Sequence, residues 1–321
     1  MSKQGTKVKE QVGDESPRLL PLKLHMVGCA TEKEMNDNVM ATLERGYTPI
    51  MESIGKYKGK VSIVGAGPSL KYTHQDIRGD VIAINSAIGY LLDQGIVPKF
   101  AVIWDAAEIC EQFAIPHPKI TYLIGARCHP KVFERLKDCN VIVWYAGGDH
   151  NIFELMEEKG INEPLINGGS AGVTRGMYVA VALGYTSLHL FGADGCYRKG
   201  ETHIKGSLVD EQDIMIAIGD NPPLFFRTTP QWCAQVNEFR DIYSLFSHPQ
   251  INVKVKVHGE GMIPHMWKLM NEKRKKKLLW NKDGSAHPSN VLPLQPEVEE
   301  ELNKQNEILP STQPLEENRP C

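Results

Sequence analysis

The sequence lacks a long apolar run and a strong excess of charge of either sign. No stretch of its 321 residues approaches the ~18 apolar residues of a membrane-spanning helix, and the first twenty residues are polar and charged instead of forming a signal-peptide core. The formal net charge of −3 provides no overall attraction to nucleic acid or to anionic membranes. We therefore expect a cytoplasmic protein without a membrane span.

Cysteine pairs at metal-binding or redox spacing are also lacking. The seven cysteines form an odd set without C-x-x-C spacing, which favours reduced, buried thiols over a disulfide framework. Cys128 and His129 are adjacent, but no second pair stands at the spacing of a structural zinc site. With 41% hydrophobic and 23% charged residues, the composition is that of a globular protein with a sizeable core.

Two common phosphate-binding fingerprints are incomplete. Residues 61–70 (VSIVGAGPSL) run from a β-branched strand into a turn with Gly65 and Gly67, but the third glycine of G-x-G-x-x-G is missing. A Walker A loop is missing too, since residues 55–61 (GKYKGKV) lack its spacing and its Ser or Thr. The turn can still direct backbone N–H groups at an anion, with Ser69 as the cap of the next helix. It predicts a phosphate-binding turn, with an ordinary strand-to-helix turn as the alternative.

From residue 60 onward, short apolar runs alternate with helical stretches, which predicts a parallel sheet with helices on both faces. The continuous apolar character of the runs is typical of strands buried on both sides. The predicted strands are 61–65, 81–85, 100–104, 120–124, 141–145, 187–192 and 252–257, and the predicted helices are 31–44, 87–94 and 173–183. Thr31 and Glu34 form a capping box at the start of the first helix. The fold class is therefore α/β, with a doubly wound, mostly parallel sheet.

Open sheets of this kind bind ligands at the carboxyl ends of their strands, so the polar residues that follow each strand are candidate site residues. They are residues 65–69, Asn85, Asp105, residues 147–149 and residues 192–195. A second glycine-rich turn, Gly168-Gly169-Ser170, runs into a predicted helix and provides another helix N-terminus suited to an anion. Arg175, just after this turn, is a candidate to neutralise phosphate.

Taken together, these segments resemble a known family. The stretches IVGAGPSL (63–70), DVIAINSAIGYLLDQGIVPKFAVIWD (80–105) and NGGSAGVTRGMYVAVALGYTSLHLFGADGCY (167–197) are similar to the 6-hydroxymethylpterin diphosphokinase MptE-like family. That family includes archaeal pterin diphosphokinases and motility-associated factors that glycosylate flagellin. The same elements are similar to bacterial sialyltransferases that use CMP-sialic acid. The resemblance covers roughly residues 60–205, and more weakly the chain to about 265.

The resemblance implies a Rossmann-like fold that holds a nucleotide or a nucleotide-sugar donor in the first glycine turn. The sialyltransferases carry Asn between the two glycines, where this chain has Ala66. The nucleotide-binding residues expected from the two turns are Gly65, Ala66, Gly67, Pro68, Ser69, Asn85, Gly168, Gly169, Ser170 and Arg175.

Three residues are candidates for catalysis. Asp105 and Asp194 each end a predicted strand, where a carboxylate can hold Mg²⁺, and each has a helix N-cap as its alternative role. His203 lies in a polar loop after Asp194, where it could act as a general base or be an ordinary surface histidine. The family tends to carry a Thr-His pair at this point, which favours the base.

Three functions follow as hypotheses. The first is diphosphate transfer from ATP to a small hydroxymethyl acceptor such as a pterin, with Mg²⁺ on Asp105 and Asp194. The second is a glycosyltransferase that uses a CMP-nonulosonate or sialic acid-type donor, with His203 as base and a small-molecule or glycan acceptor. The third is a non-catalytic nucleotide-binding or assembly protein that kept the fold.

The chain divides by composition into four parts. Residues 1–24 are predicted to be a disordered lead and residues 25–58 a helical extension. Residues 59–270 form the predicted nucleotide-binding domain. Residues 271–321 are predicted to be a flexible tail, first basic and then rich in Pro and Glu.

Overall fold

The computed structural model describes residues 30–147, 152–201, 203–204, 213–219 and 222–280. The strands are β1 Thr48–Pro49, β2 Lys60–Val64, β3 Asp80–Ile84, β4 Phe100–Ile103, β5 Thr121–Gly125, β6 Asn140–Ala146, β7 Leu165–Ile166, β8 Ser187–Phe191, β9 Ile214–Ile218, β10 Leu224–Thr228 and β11 Lys254–Val257. The α-helices are α1 Glu32–Leu43, α2 Leu70–Thr73, α3 Ala87–Asp93, α4 Pro130–Arg135, α5 Ile152–Glu158, α6 Gly172–Ala182, α7 Pro230–Phe246 and α8 Met262–Trp280. None of these helices is long and apolar enough to cross a lipid bilayer.

Within the described ranges, nine strands form one sheet in the order β1-β6-β5-β4-β3-β2-β8-β11, with β7 paired to β6. Every neighbouring pair in this sheet is parallel. The order reverses at β2, which lies between β3 and β8. Such a reversal opens a crevice at the carboxyl ends of the strands, where ligands of doubly wound sheets bind. The predicted fold class and the seven predicted strands are confirmed.

Buried side chains alternate along the central strands, so the core consists of two apolar layers on opposite faces of the sheet. On β2, Val61 and Ile63 belong to one layer, while Val64 belongs to the other. Helices α6, α7 and α8 cover the first layer, and the second is covered by helices that include α3 and α4. Because the sheet is covered on both faces, a ligand can reach it at the carboxyl ends of its strands.

The N-terminal segment packs against residues that follow the carboxyl ends of β4 and β5. Thr31 and Glu34 form the predicted capping box at the start of α1, with the Glu34 N–H donating to Thr31 Oγ1 at 3.3 Å. On the buried side of α1, Asn38 Nδ2 donates to the carbonyl oxygens of Ala106 and Arg127. Within the predicted helical extension, residues 25–58, the structure also has the short strand β1, which pairs with β6 and covers a sheet edge whose backbone groups would otherwise lack partners.

Two further sequence predictions concern residue 270 and the two ends of the chain. The predicted domain boundary at residue 270 stays a prediction, and α8 runs across it to Trp280. The predicted lead, residues 1–24, and the rest of the predicted tail, residues 281–321, lie outside the described part of the chain. The sequence analysis also missed α7 and the antiparallel hairpin of β9 and β10, which lies apart from the main sheet.

Candidate functional site

The first glycine turn, residues 65–69, follows β2 and packs tightly against the residues that follow β8. The N–H of Gly65 donates to Phe191 O and that of Gly67 to Gly192 O, both at 2.8 Å. A Cβ at Gly67 would lie 2.7 Å from Gly192 O and 2.8 Å from Asp194 Oδ1. Glycine is therefore required here by the close approach of two protein segments, and these N–H groups are already bonded within the protein.

Asp194 occupies the position beside the first turn where the sequence predicts a ligand anion. Its Oδ2 accepts from the Ser69 N–H at 2.7 Å, and its Oδ1 accepts from Ser69 Oγ at 2.5 Å. Its side chain is 2% exposed, and this burial raises the pKa of Asp194 to about 6, against the lowering effect of the Ser69 hydrogen bonds. The predicted capping of α2 by Ser69 is wrong, because the hydroxyl is bonded to Asp194 instead.

The second glycine turn, residues 168–170, holds a protein carboxylate in the same manner. The Ser170 N–H and Ser170 Oγ both donate to Glu238 Oε2, at 2.8 and 3.0 Å. A Cβ at Gly169 would lie 2.6 Å from Glu238 Oε2 and 2.5 Å from Thr174 Oγ1. The sequence predicts a ligand anion at the N-terminus of α6. In the structure, the carboxylate of Glu238, a residue of α7, lies there instead.

The first glycine turn and the start of α6, which follows the second turn, meet over the ends of β2, β3 and β4. A Cβ at Gly65 would lie 2.5 Å from Val173 Cγ2, at the start of α6. A Cβ at Gly172 would lie 2.7 Å from Ile84 Cγ2, at the end of β3, and 3.9 Å from Trp104 Nε1, just after β4. The fold therefore brings the predicted nucleotide-binding segments together at one edge of the sheet.

Asn85 lies between these turns and carries the clearest sign of a ligand-binding role. Val64 of β2 pairs with Ala83 of β3, so Asn85 and Ala66 leave neighbouring strands at the same height. The φ of Asn85 is +46°, a strained value for a residue other than glycine. Its side-chain Oδ1 is buried and has no hydrogen-bond partner among the described residues. An acceptor buried in this way calls for a donor from a ligand.

Positive charge collects next to this position, around Trp104. The guanidinium of Arg175 lies 4.6 Å from the centre of the Trp104 ring, and that of Arg127 lies 4.4 Å from it. Arg175 is 5% exposed, and its Nη1 donates to the carbonyl oxygens of Gly147 and Ile166. The Trp104 ring therefore brings two guanidinium groups close together. The sequence analysis did not identify Trp104, since nothing local indicates that two arginines converge on it.

Asp105 and Asp194 do not fit as joint ligands of one Mg²⁺. They follow β4 and β8, which are three positions apart in the sheet, so these strand ends are about 14 Å apart at ~4.8 Å per neighbouring pair. Direct ligands of one Mg²⁺ lie ~2.1 Å from the ion. Both oxygens of Asp194 are bonded to Ser69, and Asp105 Oδ1 accepts from the Ala107 N–H at 3.2 Å. The described residues contain no group of three or more His, Cys, Asp or Glu placed to hold a metal ion.

His203 lies beside the first glycine turn. The N–H of its neighbour Ile204 donates to Ala66 O at 2.9 Å, and the His203 ring lies 6.2 Å from that of Trp232 at the start of α7. Burial lowers the pKa of His203, which keeps the imidazole neutral near pH 7. A neutral imidazole can accept a proton, but the lowered pKa makes His203 a weaker base than an exposed histidine. The segment is also tied to α2 by the ion pair of Lys71 and Glu201, at 2.7 Å.

Two solved structures match the chain. The MAf glycosyltransferase from Magnetospirillum magneticum AMB-1 matches with a TM-score of 0.50 and 18% identity, over 78% of this chain and 43% of that chain. This chain thus spans less than half of that protein, and the likeness shows the fold alone. A mammalian sialyltransferase in complex with Gal-beta-1-3GalNAc-ortho-nitrophenol matches with a TM-score of 0.36 and 11% identity, over 72% of this chain and 80% of that chain, which is too distant to support an argument.

A family model also matches the chain. No curated protein matches the sequence significantly. The model of the 6-hydroxymethylpterin diphosphokinase MptE-like family matches residues 37–200, which is 164 of the 321 residues. This stretch contains both glycine turns, Asn85, Asp105 and Asp194, while Glu238 lies beyond it. The chain belongs to the 6-hydroxymethylpterin diphosphokinase MptE-like family.

Proposed function

We propose that the protein is a transferase that binds a nucleotide donor at the strand ends between the two glycine turns, with Asn85 as a direct ligand-binding residue. The observation that carries this proposal is the buried Oδ1 of Asn85, which has no hydrogen-bond partner in the described part of the chain and lies on a residue of positive φ where the strand order reverses. An unsatisfied buried acceptor costs about 1–3 kcal/mol. A ribose hydroxyl or a base amino group would satisfy it and recover that energy on binding.

The geometry favours sugar transfer from a nucleotide-sugar, such as a CMP-nonulosonate, over metal-assisted phosphoryl chemistry. Asp105 and Asp194 are not placed to share Mg²⁺, whereas the neutral His203 lies beside the first turn. In this reaction His203 takes the proton of the acceptor hydroxyl as the hydroxyl oxygen attacks the anomeric carbon. The bond from that carbon to the nucleotide phosphate breaks, and the nucleotide leaves with the electron pair. The charges of Arg127 and Arg175 would stabilise the departing phosphate.

The second candidate is diphosphate transfer from ATP to a small hydroxymethyl acceptor such as a pterin. It is favoured by the family to which the chain belongs, whose name describes that activity. Mg²⁺ supplied with ATP would neutralise charge on the transferred group. Since the two aspartates do not fit as its joint ligands, the residues of this chain offered for that reaction are Asn85, Arg127 and Arg175.

The test measures binding of CMP, CMP-sialic acid, ATP and GTP by calorimetry, each with and without Mg²⁺. We expect metal-independent binding of a cytidine ligand, weakened about tenfold, or 1.4 kcal/mol, in Asn85→Gly. Glycine readily adopts the positive φ of this position, so we expect the substitution to leave the fold and its stability unchanged. The matched control is Asn252→Gly, because Asn252 also has a positive φ, +51°, and precedes β11 at the opposite edge of the sheet.

The possible outcomes separate the hypotheses. If the protein binds ATP or GTP, and only with Mg²⁺, diphosphate transfer becomes the favoured function in place of sugar transfer. Binding without turnover of any donor would indicate a non-catalytic nucleotide-binding protein. If none of the four ligands binds, or if Asn85→Gly and Asn252→Gly bind equally well, the proposed site is wrong.

A further inference from the structure

The loop that follows β8 contains a tight turn shortly before His203. Arg198 and Glu201 exchange two backbone hydrogen bonds, each of 2.9 Å. Between them, Lys199 has a φ of +49° and Gly200 a φ of +81°, values typical of the two central residues of a type I′ turn. His203 lies two residues after Glu201, so the placement of this turn decides where the imidazole lies.

Helix α2, which follows the first glycine turn, contacts this tight turn at both of its ends. The Nζ of Lys71 donates to both carboxylate oxygens of Glu201, each at 2.7 Å. The guanidinium of Arg198 lies 5.1 Å from the centre of the Tyr72 ring, and its Nη1 donates to Glu260 Oε2 at 2.6 Å. Two successive residues of α2 therefore hold the loop that contains His203.

The ion pair of Lys71 and Glu201 differs from an ordinary surface pair. Fully exposed pairs contribute little, because water screens their charges and two long side chains must be fixed. Here the side chains are 33% and 41% exposed, both oxygens of Glu201 are bonded, and its backbone is already fixed by the tight turn. The N–H of Ile204 adds a second link, to Ala66 O in the first glycine turn. The ion pair thus gives the loop a directed contact to α2.

We propose that Lys71 and Glu201 are positioning residues for His203: their ion pair holds the loop after β8 against α2, so that the imidazole stays beside the first glycine turn. The two charges neutralise each other, and neither residue is assigned a contact with the reacting atoms. This inference rests on the proposed function for the role of His203 as a base. The position of the imidazole can be measured without any nucleotide.

The first experiment measures the release of CMP from CMP-sialic acid, with kcat and KM determined separately. We expect kcat to fall about tenfold in Lys71→Met and in Glu201→Gln, because a misplaced base slows the chemical step. KM should stay within about twofold, since the donor contact of Asn85 is unchanged. Lys99→Met is the matched control, because Lys99 forms a similarly exposed ion pair of 2.6 Å with Asp80 at the amino ends of the strands. It should keep the full kcat.

A charge reversal tests whether the ion pair itself is responsible. Lys71→Glu alone places two carboxylates against each other and should lower kcat further than Lys71→Met does. The double variant Lys71→Glu with Glu201→Lys restores opposite charges, and we expect its kcat to return to within about threefold of the unchanged protein. Full kcat in the single variants, no recovery in the double variant, or an equal loss in Lys99→Met would overturn the inference.

A measurement without nucleotide follows His203 directly, by the pH dependence of its ring resonances in ¹H–¹⁵N NMR spectra. Burial lowers the pKa of His203 in the unchanged protein. If the loop leaves α2, water reaches the imidazole, and its pKa should move toward the ordinary value of 6.5 in Lys71→Met and Glu201→Gln but not in Lys99→Met. The same His203 pKa in all of these proteins would contradict the inference. If the unchanged protein does not turn over CMP-sialic acid, the proposed function fails, while the NMR result still decides whether the ion pair positions His203.

Discussion

The two glycine turns share one plan but differ in where their carboxylate comes from. In each, a serine donates through its N–H and its hydroxyl, to Asp194 in the first turn and to Glu238 in the second. Asp194 follows an adjacent strand and is almost fully buried, whereas Glu238 is a half-buried residue of a separate helix. A glycine turn followed by serine therefore does not by itself identify a phosphate site, because the anion can be part of the protein.

Alanine substitution of the glycines should give the largest difference in the free energy of unfolding between variants of the two turns. In Gly67→Ala the new methyl meets the backbone oxygen of Gly192 at 2.7 Å, which cannot move without shifting β8. In Gly169→Ala it meets two side-chain oxygens, that of the buried Thr174 at 2.5 Å and that of Glu238 at 2.6 Å, and no backbone atom. We expect Gly67→Ala to lower the free energy of unfolding by about 3 kcal/mol or more and Gly169→Ala by about 2 kcal/mol, measured by denaturant titration. Equal losses would contradict the difference in rigidity.

The pH dependence of stability should report on the first turn. Since burial raises the pKa of Asp194 from 3.8 to about 6, the folded state favours its protonated form. Protonated Asp194 therefore contributes to the free energy of unfolding in full below pH 3.8, and this contribution is lost as the pH rises through about 6. Relative to Asp194→Asn, the unchanged protein should therefore lose up to about 3 kcal/mol between pH 4 and pH 7. Parallel pH profiles for the two proteins would show that Asp194 does not titrate in this way.

Removal of the serine hydroxyls should give the smallest effects. Ser69→Ala deletes the 2.5 Å hydrogen bond to a buried carboxylate, and we expect a loss of about 2 kcal/mol near pH 7. Ser170→Ala leaves Glu238 with the Ser170 N–H and with access to water, so we expect less than about 1 kcal/mol. Thermal and denaturant unfolding of both variants would check the order, and a larger loss for Ser170→Ala would reverse the comparison.

The strands of the sheet could be predicted from the sequence because each is indicated by an apolar run within a few neighbouring residues. Strands buried on both faces need nearly continuous apolar runs, and the Val- and Ile-rich runs of β2, β3 and β4 can be read directly from the sequence. The hairpin of β9 and β10 was missed, although Ile214, Ile216 and Ile218 alternate with other residues in the manner of a strand.

The site was harder to predict because its decisive contacts are tertiary. Ser69 meets Asp194 across 125 positions in the chain, and Ser170 meets Glu238 across 68. The sequence located the glycines but could not show that protein carboxylates fill both turns. It also selected Asn85, from its place at the end of a predicted strand and then from the family resemblance, while its positive φ and the lack of a partner for its Oδ1 among the described residues became visible only in the fold.

The central claim is that the donor binds at Asn85, between two turns whose anion positions are already filled. A crystal structure of the protein with CMP or a CMP-sugar tests it most directly. The account predicts a hydrogen bond from the nucleotide to the Asn85 side chain, with the contacts of Ser69 to Asp194 and of Ser170 to Glu238 intact. A nucleotide phosphate that replaces either carboxylate at its serine, with Asn85 left without a ligand contact, would contradict it.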